Sequence, residues 1–316
     1  MARMSRAERL SGGALQRLSR LSNIYGLRDV LVTWIPIAGC AWGAHAFGGW
    51  LANLAAIVII ASRQAALANL AHDAWHRLGF GSRKLNDLVG AWCYAYPVGV
   101  PFFHDRRRHF QHHRLVGERR DPDWVNYTSD GRETPAKIIG YLARRLGGAL
   151  LVETAWSALV TRKPRIVLED QPKSDEPAHE MLRVVVCQIL LIVAFTWSLG
   201  PWGYALYWLL PLATVTAFCN NLRALVEHIA EGPEPSAAER LRDIDANVFE
   251  RWFFSPAHFH FHALHHEHPS IPHYRLGKAK AELVKELGAY PFAVSPGYLA
   301  TLRSHLAAIT RSRTAK

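Results

Sequence analysis

The sequence predicts an all-α membrane protein: four transmembrane helices in two hairpins, with a cytosolic helical cap carrying three histidine clusters. Three observations predict it. Four long apolar runs come in pairs, each pair joined by a short glycine turn. Lys and Arg are missing from both turns and concentrated in the remaining segments. Eight of the 17 histidines fall into three short motifs beside the apolar runs.

Composition narrows the function classes. Hydrophobic residues make up 50% of the 316, yet mean hydropathy is near zero, because nearly uncharged stretches alternate with basic ones. A net charge of +11 suits nucleic acid or an anionic membrane surface. The charges flank apolar spans and no nucleic-acid motif is present, so membrane lipids are the expected partner and nucleic acid is not. Cys40, Cys93, Cys187 and Cys219 are isolated in apolar stretches. Without a C-x-x-C pair, zinc ribbons, thioredoxin chemistry and cysteine-ligated clusters are excluded, and an oxidising compartment is not expected.

Residues 1–29 form a basic amphipathic segment. Its apolar positions from Leu10 to Leu21 have helical spacing, which predicts a helix lying on the membrane surface. No apolar core follows the first charges, so a signal peptide is not expected. Val30 to Phe47 is free of Lys, Arg and Glu, Gly48-Gly49 turns the chain, and a second run spans Trp50 to Ser62 and continues in helical composition to Ala71. Each run can cross a hydrocarbon core of ~30 Å. The second hairpin joins Met181–Leu199 to Trp202–Asn220 through Gly200-Pro201. Trp50, Trp197, Trp202 and Tyr204 suit an interfacial aromatic belt. Residues 88–103 and 138–160 are short or charged and read as interfacial or re-entrant segments, and 161–180 as a surface linker. By the positive-inside rule both termini and the central region face the cytoplasm, as does every histidine cluster. The membrane domain is drawn at 30–276 and a cytosolic C-terminal helical tail at 277–316.

The first cluster is His72-Asp73-Ala74-Trp75-His76, an H-x-x-x-H. The second is His109-Phe110-Gln111-His112-His113 and the third His262-Ala263-Leu264-His265-His266, both H-x-x-H-H. Positions i, i+3 and i+4 share a helix face, so their imidazoles can converge on a metal. A lone H-x-x-x-H is a weak signal; two copies of a three-histidine pattern are a strong one. His228 stands just beyond the fourth span, as His72 stands beyond the second, and joins the set. Nine imidazoles are too many for one zinc, which takes four ligands, but suit two first-row metals. The H-E-x-x-H of zinc hydrolases is absent. Two redox-active metals beside a membrane point to O₂ activation, with iron the default by redox range and availability.

An H-x-x-x-H followed by two H-x-x-H-H motifs around two apolar hairpins resembles the membrane fatty acid desaturase and hydroxylase superfamily. The resemblance covers roughly residues 30–276. The stretch from His109 to Tyr127, with Asp121-Pro122-Asp123, is similar to small bacterial members, as is His262 to Pro269 followed by Ile271-Pro272. The resemblance implies iron at both sites, four transmembrane helices and a cytosolic active site in a bacterial inner membrane. His258 and His260, just before the third motif, depart from the pattern: they are hydrogen bonders behind the ligands, extra ligands or surface residues. Asp73, Asp105, Asp123 and Glu227 are candidates to accept the outward N–H of a ligating ring; ion pairs with Arg77 or with Arg106 to Arg108 are the plainer reading.

The expected reaction is O₂-dependent oxidation of an unactivated C–H bond, most simply desaturation of a fatty acyl or other lipid chain, with Trp92, Tyr94 and Tyr96 walling the substrate. A hydroxylase or ketolase of a terpenoid, carotenoid or small amphiphile shares the same first step. A metal-ion transporter is the alternative of another class, although its ligands should lie mid-membrane. No flavin or nicotinamide fingerprint is present, so electrons must come from a separate carrier, a ferredoxin or b-type cytochrome. The basic face of Arg106, Arg107, Arg108, Arg119 and Arg120 could dock it.

Overall fold

The spans are helices because a backbone in hydrocarbon must bond to itself. The computed structural model describes residues 9–124, 134–156, 179–229 and 241–314. After a short helix α1 (Gly12–Leu18), α2 (Asn23–Phe47) and α3 (Trp50–Trp75) form the first hairpin. Its turn residues Gly48 and Gly49 have φ of +66° and +85°, which L side chains rarely adopt. Helix α4 (Arg83–Val89) leads into a wide π turn (Gly90–Ala95), a 3₁₀ turn (Tyr96–Val98) and α5 (Phe102–Leu115). Then come α6 (Pro135–Leu146), α7 (Ala149–Trp156) and the third span α8 (Glu180–Leu199). The fourth span, Ala205–Glu227, contains two π turns and ends in α9 (Ala217–Glu227). Short helices α10 (Val248–Phe253) and α11 (His262–Glu267), then α12 (His273–Leu287) and α13 (Tyr298–Thr314), complete the order. The described strands, β1 (Asp243–Ile244) and β2 (Val294–Ser295), form one parallel pair. The protein is an all-α membrane protein, and among the described residues four helices are long and apolar enough to cross a bilayer.

The spans play unequal parts. In the most apolar stretches of α2 and α8 only 22% and 17% of residues are buried, against 44% in α3 and the fourth span. The first pair therefore faces lipid, through residues such as Leu31, Ile35, Leu190 and Val193. The second pair forms the interior, and its chains run on to the histidines. A ~30 Å core consumes about 20 residues, so α3, with 26, emerges near Leu70, just before His72. Trp50, Trp197 and Trp202, beside the two turns, are strongly exposed, as an aromatic belt requires. Polar side chains within the bundle find partners: Gln64 bonds the Trp208 carbonyl and accepts the Thr216 hydroxyl, and Gln188 bonds the Tyr96 and Pro97 carbonyls.

The segment 88–103 is wedged among the spans. Trp34 donates to the Cys93 carbonyl and Trp208 to that of Pro97. Helix α6 inserts Ile138 and Leu142 into a core shared with α9. The 161–180 linker lies outside the described residues except His179 and Glu180. Helix α1 differs from its expected position on the membrane surface. Its apolar side, Leu10 and Ala14, packs on Leu264, Ile271, Leu276, Ala279 and Leu283. Arg17 pairs with Glu282 at 3.2 Å and Arg9 with Glu267 at 2.6 Å. An apolar stripe with matching charges nearby is better satisfied by another helix than by headgroups. Helix α12 runs through the boundary drawn at 276, and its buried Leu276, Ala279 and Leu283 hold both α1 and the third histidine motif in place.

Candidate metal centre

Four chain segments bring nine rings together. His72 lies in the last turn of α3 and His76 caps it, after which Arg77, at φ +62°, turns the chain away. His109, His112 and His113 lie on α5, His228 caps α9, and His262, His265 and His266 lie on α11. The nine fall into two groups. His72, His76, His109, His113 and His265 form one; His112, His228, His262 and His266 form the other. Within each group one ring nitrogen per residue lies within 4.8 Å of all the others.

Helix geometry explains the division. At 3.6 residues per turn, i+4 is about 40° from i on one side and i+3 about 60° on the other. Each i, i+4 pair shares a group: His72 with His76, His109 with His113, His262 with His266. The i+3 rings, His112 and His265, cross into the other group. Each three-histidine helix thus serves both groups, and the stacked rings of His113 and His266, 4.0 Å apart, join them.

The groups fit metal ions. His76 Nε2 is 2.8 Å from His109 Nε2, and His228 Nε2 is 3.0 Å from His262 Nε2. Two metal–nitrogen bonds of ~2.1 Å at right angles would separate their nitrogens by about 3 Å. His72 Nε2, His113 Nε2, His265 Nε2 and both nitrogens of His266 are buried without a hydrogen-bond partner in the protein. Buried polar atoms are rarely left so, and a cation shared by their lone pairs would supply the missing partner. Burial, followed by repulsion from neighbouring rings, with Arg106 adding to it at His76 and Arg223 at His262, holds His76, His109, His113, His262 and His266 well below the usual imidazole range. Burial, then His112, brings His265 down to about 3. Neutral rings are the form that ligates.

The acids divide less evenly than expected. The carboxylate closest to a ring is that of Asp121, whose two oxygens lie 2.9 and 3.0 Å from His112 Nδ1. Sequence reading noted Asp121 only within Asp-Pro-Asp and selected Asp123 instead. Asp123 donates its backbone N–H to Asp121, pairs with Arg108, and stands 3.8 Å from the same ring nitrogen. The Glu227 carboxylate lies 3.6 Å from His262 Nδ1 and accepts the Tyr298 hydroxyl at 2.7 Å. Asp73 is buried at the end of α3. Asp105 makes an ion pair with Arg108 at 3.7 Å, the plainer of the two readings. His258 meets His273 at 3.4 Å, and His273 in turn meets Asp29 at 2.9 Å; His260 is buried against Phe261. Neither belongs to the two groups. Tyr94 and Tyr96 are buried core rings, and Trp92 lies edge-on against Tyr96. A cavity of about 10 Å³, room for one water, adjoins His72, His262 and His265 with Asn69, Phe259 and Phe261 on its wall; these three aromatics do not line it.

The family model described as fatty acid desaturase matches residues 48–298, which include all nine rings. The chain belongs to the fatty acid desaturase family. This desaturase is 22% identical over 273 residues to an sn-1 oleoyl-lipid 12-desaturase of Picosynechococcus sp., covering 83% of this chain and 77% of that one. It is 26% identical over 295 residues to a dihydrorhizobitoxine desaturase of Bradyrhizobium elkanii, covering 89% and 81%. A second sn-1 oleoyl-lipid 12-desaturase, of Synechocystis sp., is 25% identical over 234 residues, covering 69% and 64%. The desaturase is therefore an oxidoreductase of a membrane family, and family membership implies iron.

Proposed function

We propose that this desaturase uses O₂ to introduce a double bond into the hydrocarbon chain of a membrane lipid, with one iron in each histidine group. The observation that carries the reading is the convergence of nine buried rings into groups of five and four. Bound iron would supply the redox chemistry and O₂ activation that side chains cannot. The protein's own part is to hold neutral nitrogens in place and exclude water. Asp121 takes the N–H of His112, so that ring's other nitrogen faces its group. Lipid-facing α2 and α8 leave a route for a substrate dissolved in the bilayer, and the names of the two cyanobacterial relatives support an acyl lipid. The Lys- and Arg-free hairpin turns support a cytoplasmic site in a bacterial inner membrane. Electrons would come from a separate ferredoxin or b-type cytochrome. Arg106 is buried against Asp87, and Arg108 pairs with Asp123, so docking would rest on exposed Arg119 and Arg120 instead.

The test is expression in a bacterial host, with iron analysis of the detergent-purified protein and mass spectrometry of host lipids. About two irons per chain and lipids lighter by two hydrogens are expected. Iron without any lipid product, but with turnover of a supplied small amphiphile, would replace the lipid with the kind of substrate the Bradyrhizobium relative's name indicates. A purified protein free of iron, alongside unchanged lipids, would end the reading.

A further inference from the structure

Both three-histidine helices start without a local cap. The residues preceding them, Pro101 and Phe261, offer no side-chain acceptor to the first turn. Helices α1, α4, α6 and α10 do cap locally, α10 through a capping box of Asn247 and Glu250, whereas α12 also starts without a side-chain cap. First-turn N–H groups have no partner within their own helix. In α5 and α11 they are met by a buried carboxylate from a distant segment. Glu180, the first residue of α8, accepts the N–H of Phe103 at 2.8 Å and of His104 at 3.1 Å. Asp243, in β1, accepts the N–H of Leu264 at 3.2 Å. These are the second and third residues of α5 and the third of α11. Each carboxylate also accepts a tyrosine hydroxyl, Tyr96 for Glu180 and Tyr290 for Asp243. Glu180 thus meets three donors and Asp243 two, which suits the accepting oxygens of a carboxylate.

We infer that Glu180 and Asp243 are positioning residues: matched remote caps that fix where the two helices shared by both histidine groups sit, and so the spacing between the groups. The inference rests on the di-iron reading. Its physical basis is that α5 and α11 each give rings to both groups. A helix slipped by one residue moves ~1.5 Å and turns ~100°, which no coordination sphere tolerates. A local cap would travel with its helix. A remote one ties α5 to the third span, and α11 to the β1–β2 pair that the C-terminal segment completes.

The experiment compares wild type with E180Q, D243N, Y96F and Y290F. Each is purified whole after growth on ⁵⁷Fe, then measured for iron per chain, Mössbauer spectrum and lipid desaturation. The amide variants place an NH₂ among donors. They should remain monodisperse in detergent, lose roughly 10–100-fold in activity, as the loss of groups that orient ligands does, and show an altered coupling between the irons. The tyrosine variants keep the carboxylate on its amides and should shift the spectrum in the same direction by less. Wild-type iron content and spectrum in E180Q or D243N would overturn the inference. If the amide variants do not fold, unaltered spectra in Y96F and Y290F would overturn it equally, since the carboxylates would then serve folding alone. Iron-free wild type would instead remove the di-iron reading itself.

Discussion

The two histidine groups touch through His113 and His266 but have different surroundings. Around the group of five, the neighbours are largely aromatic: Phe259 lies edge-on to His72 at 4.6 Å, and Phe110 to His76 at 5.2 Å. Around the group of four stand carboxylates, Asp121 on His112 and Glu227 near His262. A carboxylate behind a ring raises its basicity and fixes its orientation. The fifth ring on one side and the acids on the other are thus two ways of making a donor set rich in electrons. The group of five reaches this by ligand number, and the group of four by support from behind.

Substitutions can break this comparison, and the largest effect should come from the crossing rings. His112→Ala and His265→Ala each remove a proposed ligand that a helix delivers to the group opposite its partners. Desaturation should be abolished and bound iron reduced in both, measured by product analysis and metal content; full activity in either refutes the ligand assignment. Acid should act next. His265 and His260 are buried with values near 3, while unfolded rings titrate near 6.5. The folded values are depressed, so the unfolded chain binds more protons between those limits. Stability is therefore complete above about pH 6.5 and falls as pH drops toward 3, by about 2 kcal/mol per fully buried ring at pH 5. Thermal unfolding of metal-free protein across that range checks this, and a flat profile contradicts it. Asp121→Asn should sharpen the contrast between groups, weakening metal binding by roughly 10–100-fold at the group of four only. Competition with a chelator reads this as one labile and one retained ion. The smallest effect belongs to Asp105→Asn. It loses a long, partly buried ion pair to Arg108, worth on the order of 1 kcal/mol, and should leave iron content and turnover unchanged.

What was legible in the sequence was whatever repeats along one element. The spans follow from uninterrupted apolar runs, and their turns from glycines that alone reach φ of +66° and +85° comfortably. Eight of the nine ligand candidates follow from the i, i+3, i+4 spacing, and the same helical angle accounts for how those eight divide between the two groups. His228 was read from its place beyond the fourth span and stands there as the cap of α9.

Relations between distant segments were not legible. Asp121 and Asp123 sit two residues apart, with the same chemistry; only the turn after α5 decides that one faces His112 and the other Arg108. Helix α1 has the composition of a membrane-surface helix, and only the presence of α12 beside it gives its apolar side a protein partner. Tyr94 and Tyr96 have the composition of a substrate wall but lie in the core. By itself the sequence determined the helices, the spans and the ring set, because a helix's period and a bilayer's thickness act on each segment independently. The tertiary structure decided which acid backs which ring and which remote carboxylate caps each motif, because those choices depend on how separate surfaces pack.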